Sequence, residues 1–206
     1  MGRRVWFITD ASSALGRSMT EQVLRSGDVA VAALNRPSEI FDLVEKYGAN
    51  VLLPTKLDAF DRTQVFAALA CAKEVFGRID VVFNNAGDGV SAQGEPWWDE
   101  DEEDENVDAV SDGESWAVAN VTWEAVRFFR EVNSPKVAGT IVQMAAPAHH
   151  ERSSVTGELS RLMDATWNVK LWLVDDDINQ RLGQFMHYHL TERLFEADAS
   201  PRMLVS

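Results

Sequence analysis

The sequence predicts an α/β protein: one parallel sheet covered by helices on both faces. Three observations carry that expectation. Short apolar runs alternate with amphipathic stretches through the first ninety residues. The connections between them are short, as strand–helix–strand units require. The chain has 206 residues and is 46% apolar, enough for one domain with a real core. The whole of 1–206 is therefore read as a single domain.

The first strand runs from Val5 to Thr9, a short apolar run of strand type. A tight turn leads into a helix from Leu15 to Ser26, on which Leu15, Met19, Val23 and Leu24 share a face. Gly27 stands where that helix should stop. Val29 to Leu34 is the second strand, closed by Asn35-Arg36-Pro37. Ser38 is expected to cap a helix through Tyr47, which Gly48 ends. Asn50 to Pro54 reads as a third, edge-like strand. Asp61 caps a helix that runs to Phe76, and Gly77-Arg78 leads into a fourth strand from Ile79 to Phe83. Val118, Val121, Ala125, Phe128 and Phe129 give an apolar face to a helix from Trp116 to Val132. Gly139 to Met144 is the fifth strand.

Two segments break the pattern. Pro96-Trp97-Trp98 is followed by seven consecutive acids, Asp99 to Glu105, inside an acidic loop assigned to 95–113. Such a block repels itself and reads as a solvated loop; a sharper alternative makes Trp97 and Trp98 a gate over a pocket. The other is 175–206, which opens on Asp175-Asp176-Asp177 and has only partial helical spacing.

Charge and cysteine content narrow the function classes. There are 33 acidic against 19 basic residues, a net charge of −14. That surface repels nucleic acid and anionic membrane, so neither is an expected partner. A single cysteine, Cys71, forbids an internal disulfide and suits a reducing compartment. No apolar run is long enough to span a bilayer, and Met1-Gly2-Arg3-Arg4 leaves no room for a cleavable signal. A cytoplasmic protein with a small-molecule ligand is expected.

The turn after the first strand, Thr9-Asp10-Ala11-Ser12-Ser13-Ala14-Leu15-Gly16, resembles the T-G-x-x-x-G-x-G turn of the short-chain dehydrogenase/reductase family. Thr9, Ser12, Ser13, Leu15 and Gly16 fit, while Asp10 and Ala14 stand at the first two glycines. Asn84-Asn85-Ala86-Gly87 matches the family's N-N-A-G, and Leu57-Asp58 its L-D pair. The ordered set is far more specific than a lone glycine motif. Trp167-Asn168-Val169 to Val174 resembles the sixth strand and its lead-in. The resemblance implies a Rossmann-like, doubly wound sheet of order 3-2-1-4-5-6. It implies a nicotinamide dinucleotide held by Thr9, Ser12, Ser13, Leu15, Gly16, Arg36, Asp58, Asn85, Ala86 and Gly87. An acid after the second strand would grip a ribose 2′-OH, whereas Arg36 suits a 2′-phosphate, so NADP(H) is favoured over NAD(H). The family's dimers are commonly built on the helix before the fifth strand and the one after it, so a homodimer is a possible assembly.

The reacting half departs from the family. Its catalytic Ser corresponds to Ala146, and its relay Asn to Glu114, with Asn120 the nearest substitute. No Tyr-x-x-x-Lys occurs in residues 147–166. Hydride transfer to a carbonyl needs a proton donor at the developing alkoxide, and the family's donor is missing. The carboxyl ends of the strands instead collect Asp10, Asp58, Asp88, His149, His150, Glu151 and Asp175. His149, Asp175 and Glu114 are the candidate catalytic groups, as an acid/base set acting on a small organic molecule. The same acids and imidazoles would also suit a divalent metal, although no spacing matches a metal motif. Three functions follow: a non-redox conversion of lyase, isomerase or cyclase type, a catalytically silent NADP(H)- or partner-binding protein, and an NADP-dependent oxidoreductase with another donor.

Overall fold

The computed structural model describes residues 2–86, 106–133, 139–144 and 169–174. Val5–Thr9 (β1) is buried at all five positions, because it lies in the middle of a sheet covered on both sides. The other strands are Val29–Leu34 (β2), Leu52–Lys56 (β3), Val81–Asn84 (β4), Gly139–Met144 (β5) and Val169–Val174 (β6). All pairings are parallel, in the order β3-β2-β1-β4-β5-β6. The expected order holds. Strand order reverses between β1 and β4, where open α/β sheets form their ligand crevice.

Among the described residues four helices cover the sheet: Ala14–Arg25 (α1), Phe41–Tyr47 (α2), Arg62–Phe76 (α3) and Asn106–Glu131 (α4). The strand period of two sorts β1 between two cores. Trp6 and Ile8 pack with Met19 and Val23 of α1 and Leu43 of α2. Val5 and Phe7 pack with Val65 and Leu69 of α3 and Val121 and Phe128 of α4. At the far end of α4 the Phe129 ring lies on β5: a Cβ added to Gly139 would sit 2.2 Å from Phe129 Cγ. Asn133, just past α4, gives Nδ2–H to Ile79 O (2.6 Å) and accepts from Ile79 N–H (3.3 Å), standing in for a strand neighbour.

Two buried carboxylates close the amino-terminal edge of the sheet. Asp28 accepts from the Arg4 amide (3.1 Å), Arg4 Nε (2.7 Å) and Trp6 Nε1 (3.1 Å). Asp80 accepts from the Val5 amide (2.8 Å) and Arg78 Nε (2.9 Å). Consecutive amides at the start of β1 are thus held from opposite sides.

Several elements differ from expectation. Ser38 caps nothing: Pro37–Ile40 is a 3-10 turn with Pro37 opening it and no side-chain cap, and α2 begins only at Phe41. β3 lies two residues further on than Asn50 to Pro54 and includes Pro54, which an edge strand tolerates because its N–H side needs no partner. The fourth strand is assigned from Val81, yet Asp80 already donates to Val5 O and accepts from Thr140 N–H. α4 starts at Asn106 rather than Trp116, so 106–113 of the expected acidic loop is helical. Asp61 caps α3 as expected, accepting from the Thr63 and Gln64 amides, and Gly77 ends it at φ 82°.

Candidate functional site

Because the strands are parallel, their carboxyl ends share one edge, and the β1 turn is its centre. Ser13 is the N-cap of α1: its Oγ accepts from Gly16 N–H (3.1 Å) and donates to Asp10 O (2.9 Å). The same Oγ accepts from Asn85 Nδ2 (3.0 Å), tying the turn to the end of β4. Thr9 Oγ1 accepts from the Asn85 amide (2.8 Å). Gly16 is obligatory, since a Cβ there would meet Asp10 O at 2.2 Å. Asp10 holds a left-handed backbone, φ 47°, the only non-glycine residue with positive φ among the described residues. That conformation favours glycine, with Asp and Asn the usual exceptions. The turn therefore keeps its shape without its first glycine. Ala14, at the second glycine, sits exposed as the first residue of α1, so its Cβ meets no packing barrier inside the protein.

Beneath the turn lies a polar hub. Asn84 Nδ2 lies within hydrogen-bonding distance of Val118 O (3.1 Å), Thr122 Oγ1 (3.2 Å) and Gln143 Oε1 (2.7 Å). Gln143 Nε2 donates back to Asn84 O (3.3 Å), and Thr9 Oγ1 reaches Asn84 Oδ1 (3.3 Å). β1, β4, β5 and α4 are locked together there. Sequence reasoning missed Thr122 and Gln143; the available signal was a polar residue inside an otherwise apolar strand, which burial tolerates only when it is paired.

The remaining expected residues fall as follows. Arg36 lies two residues beyond β2, at the start of the 3-10 turn, and is exposed, but its Nη2 is paired with Glu39 Oε1 at 2.7 Å, so it is not an unpaired cation. Arg17 is paired with Asp42, whose carboxyl is held below its ordinary value by the Arg17 hydrogen bond. Glu39 and Asp42 were not singled out in the sequence; their spacing after Arg36 was the clue. Asp58, half-buried after β3, accepts from the Phe60 amide (2.9 Å) in a local turn. Ala86 is buried beside Asn85. Asn120 does not take the place of the relay Asn: its Nδ2 is committed to Ala59 O (3.2 Å) and Phe60 O (3.1 Å), bracing the loop before α3. Glu114 belongs to α4. Gly87, Asp88, Ala146, His149, His150, Glu151 and Asp175, with the Trp97-Trp98 gate, lie outside the described residues. Among the described residues there is no cluster of metal-ligating side chains and no helix long and apolar enough to cross a membrane.

One atom bears directly on a ligand. Asn85 Oδ1 is buried and has no hydrogen-bond partner, although Asn85 Nδ2 and N–H are both used. An orphaned buried acceptor is costly, about 1–3 kcal/mol, and asks for an explanation. It lies at the switch point beside the α1 N-terminus, where a ribose hydroxyl would satisfy it and the helix end would favour a phosphate. Thr9, Ser13 and Gly16 shape the turn that holds this acceptor beside the helix end, an arrangement compatible with a dinucleotide. Asp10 is the one charge in the turn that opposes it.

Fold and turn together define an α/β protein of the dinucleotide-binding type. The chain belongs to the short chain dehydrogenase family, whose profile (adh_short) matches residues 4–157. It is 43% identical over 84 residues to Oxidoreductase BOA17 of Botryotinia fuckeliana, covering 41% of this chain and 31% of that protein. It is 29% identical over 181 residues to the uncharacterized oxidoreductase C162.03 of Schizosaccharomyces pombe, covering 81% and 58%. The matches thus span less than two thirds of these curated relatives, 31% and 58% of their lengths. Among solved structures, a short-chain dehydrogenase from Streptomyces avermitilis superposes with TM-score 0.64 at 24% identity, covering 84% of this chain and 65% of that one. A 3-ketoacyl-(acyl-carrier-protein) reductase from Brucella melitensis, complexed with NADH, gives 0.65 at 19%, covering 89% and 90%. Both likenesses are of fold.

Proposed function

We propose that this protein is a nicotinamide-dinucleotide-binding member of the short chain dehydrogenase family that does not run the family's Tyr/Lys-dependent carbonyl reduction. The observation that carries the reading is the orphaned Asn85 Oδ1, an acceptor set between the α1 N-cap and the end of β4. Thr9 and Ser13 hold Asn85 in place, Gly16 lets the turn close, and Asp58 follows β3, two strands from β1 on the same edge. When bound, the nucleotide supplies a hydride donor or acceptor. This chain offers no Ser at 146 to orient a carbonyl and no Tyr-x-x-x-Lys in 147–166 to protonate it. Isothermal titration of the purified protein with NADH and NADPH tests the first half: micromolar Kd values support it, and no heat at millimolar nucleotide removes it. Nucleotide fluorescence followed over a panel of aldehydes and ketones tests the second. Rapid oxidation of bound NADPH would instead favour an NADP-dependent oxidoreductase with another proton donor.

A second reading has its own observation. Asp10 places a carboxylate residue at the centre of the crevice edge, in a backbone conformation that glycine would adopt more readily. With His149, Asp175 and Glu114 it would make an acid/base set for a non-redox conversion of lyase, isomerase or cyclase type, moving protons without removing electrons from the substrate. A divalent cation would be its natural cofactor. Isothermal titration with Mg²⁺ and Mn²⁺ tests that: uptake that Asp10→Asn weakens supports the reading, and no uptake disposes of the metal. A cytoplasmic location and a homodimer remain part of the proposal, the latter open to sedimentation analysis.

A further inference from the structure

Two guanidinium groups stand at the corner where β2 runs into the 3-10 turn, and both already have carboxylate partners. Arg36 Nη2 lies 2.7 Å from Glu39 Oε1. Arg17, the residue after Gly16 on α1, reaches both oxygens of Asp42, through Nη1 at 3.2 Å and through Nη2. Its Nη1 also lies 3.4 Å from the Glu39 carbonyl oxygen. The pairing raises the Arg17 pKa and lowers that of Asp42, the shared hydrogen bond being the main cause of each. Arg17 has a further carboxylate nearby, Glu21, at 3.9 Å. Each of these two guanidinium groups is thus matched by a carboxylate.

The location decides what this means. In a dinucleotide-binding sheet the end of β2 faces the ribose 2′ position, where an acid suits a hydroxyl and an arginine suits a phosphate. This corner has both, bonded to each other. A 2′-phosphate must displace Glu39 from Arg36 and then remain beside the displaced carboxylate. An exposed ion pair is weak and easily exchanged, but the exchange leaves a phosphate next to a like charge. A 2′-hydroxyl brings no charge and donates to a carboxylate without breaking anything.

We propose that this corner makes the chain selective for NAD(H) over NADP(H), with Glu39 the residue that sets the preference by cancelling Arg36. The inference rests on the dinucleotide reading above and reverses the preference that Arg36 alone suggests. Titration calorimetry with NADH and with NADPH on the wild-type chain, Glu39→Gln and the double variant Glu39→Gln/Arg36→Gln tests it. Circular dichroism confirms that each variant is folded. Wild type should bind NADH the more tightly. Glu39→Gln should tighten NADPH about three- to fivefold while moving NADH by less than about twofold, the range expected of a surface ion pair. The double variant should lose that gain, because it is Arg36 that Glu39 releases. A wild-type preference for NADPH, or an equal response of both nucleotides to Glu39→Gln, overturns the selectivity while leaving dinucleotide binding intact. Wild-type protein that takes up neither nucleotide overturns the dinucleotide reading and this inference with it.

Discussion

Asp10 shows how a single side chain can keep a turn and alter its chemistry. Its left-handed backbone is one that glycine adopts readily, while its negative charge would repel a phosphate at the positive end of α1. Asp10→Gly is expected to tighten NADH binding about two- to fivefold, the equivalent of the roughly 0.3–1 kcal/mol that a helix terminus contributes. Calorimetric titration checks it, and weaker binding by the variant would mean that the Asp10 side chain itself helps hold the ligand. Gly16 allows no such freedom. A methyl group there meets the Asp10 carbonyl oxygen at 2.2 Å, so Gly16→Ala should cost about 1–3 kcal/mol by overpacking, read as a lower urea midpoint at unchanged slope. These residues were legible in the sequence because the turn motif names them. Thr122 and Gln143 were not, since their partners come from other strands and no spacing along the chain records that contact. The Arg36–Glu39 pair was half legible: Arg36 was noticed, and the acid three residues on was not.

At the scale of elements, burial explains what was legible. β1 and β2 are apolar runs and β5 is apolar at its centre, and the observed bounds of all three match those read from the sequence. The errors collect at surfaces. α4 was placed ten residues late because 106–115 mixes acids, serines and a glycine and shows no apolar stripe. β3 was read as edge-like and ended at Pro54, but among the described residues it pairs with β2 alone and runs on through Pro54 to Lys56. α3 and its cap were read correctly, and the cap makes a pH prediction. Bonds from the Gln64 side chain and amide, then from Thr63, hold the Asp61 carboxyl below its ordinary 3.8. The stabilisation is therefore complete above pH 3.8 and fades as the pH falls through the lower, folded-state value. Asp61→Ala should lower the thermal midpoint at pH 6, and the difference from wild type should shrink toward pH 2.5. A difference independent of pH would assign the effect to something other than the charged cap. Where α4 meets β5, Gly139→Ala must push aside the Phe129 ring at 2.2 Å, and a loss of about 1–3 kcal/mol is expected by chemical denaturation.

At the scale of the molecule, fold and function were not equally legible. Six strands, their order and the two cores follow from apolar runs and a resemblance spread over most of the chain. The candidate catalytic groups His149 and Asp175 rest on sequence position alone. The net charge of −14 adds a last prediction. An anionic dinucleotide approaches a like-charged surface, so raising the ionic strength from low to physiological should speed association about twofold as the repulsion is screened. Stopped-flow quenching of tryptophan fluorescence reads that rate, and a slower rate in salt would place a local positive field at the crevice mouth. The clamp of Asp28 and Asp80 on the amides of Arg4 and Val5 has a consequence for how the chain is made. β1 is a central strand of the sheet, and one of its two closing carboxylates, Asp80, stands just before β4, 75 residues beyond the Val5 amide it holds. Until that stretch emerges, β1 has β2 on one side and an open edge on the other. At about 5–20 residues per second that interval lasts seconds, so the nascent protein offers a chaperone an apolar strand edge that the finished one conceals.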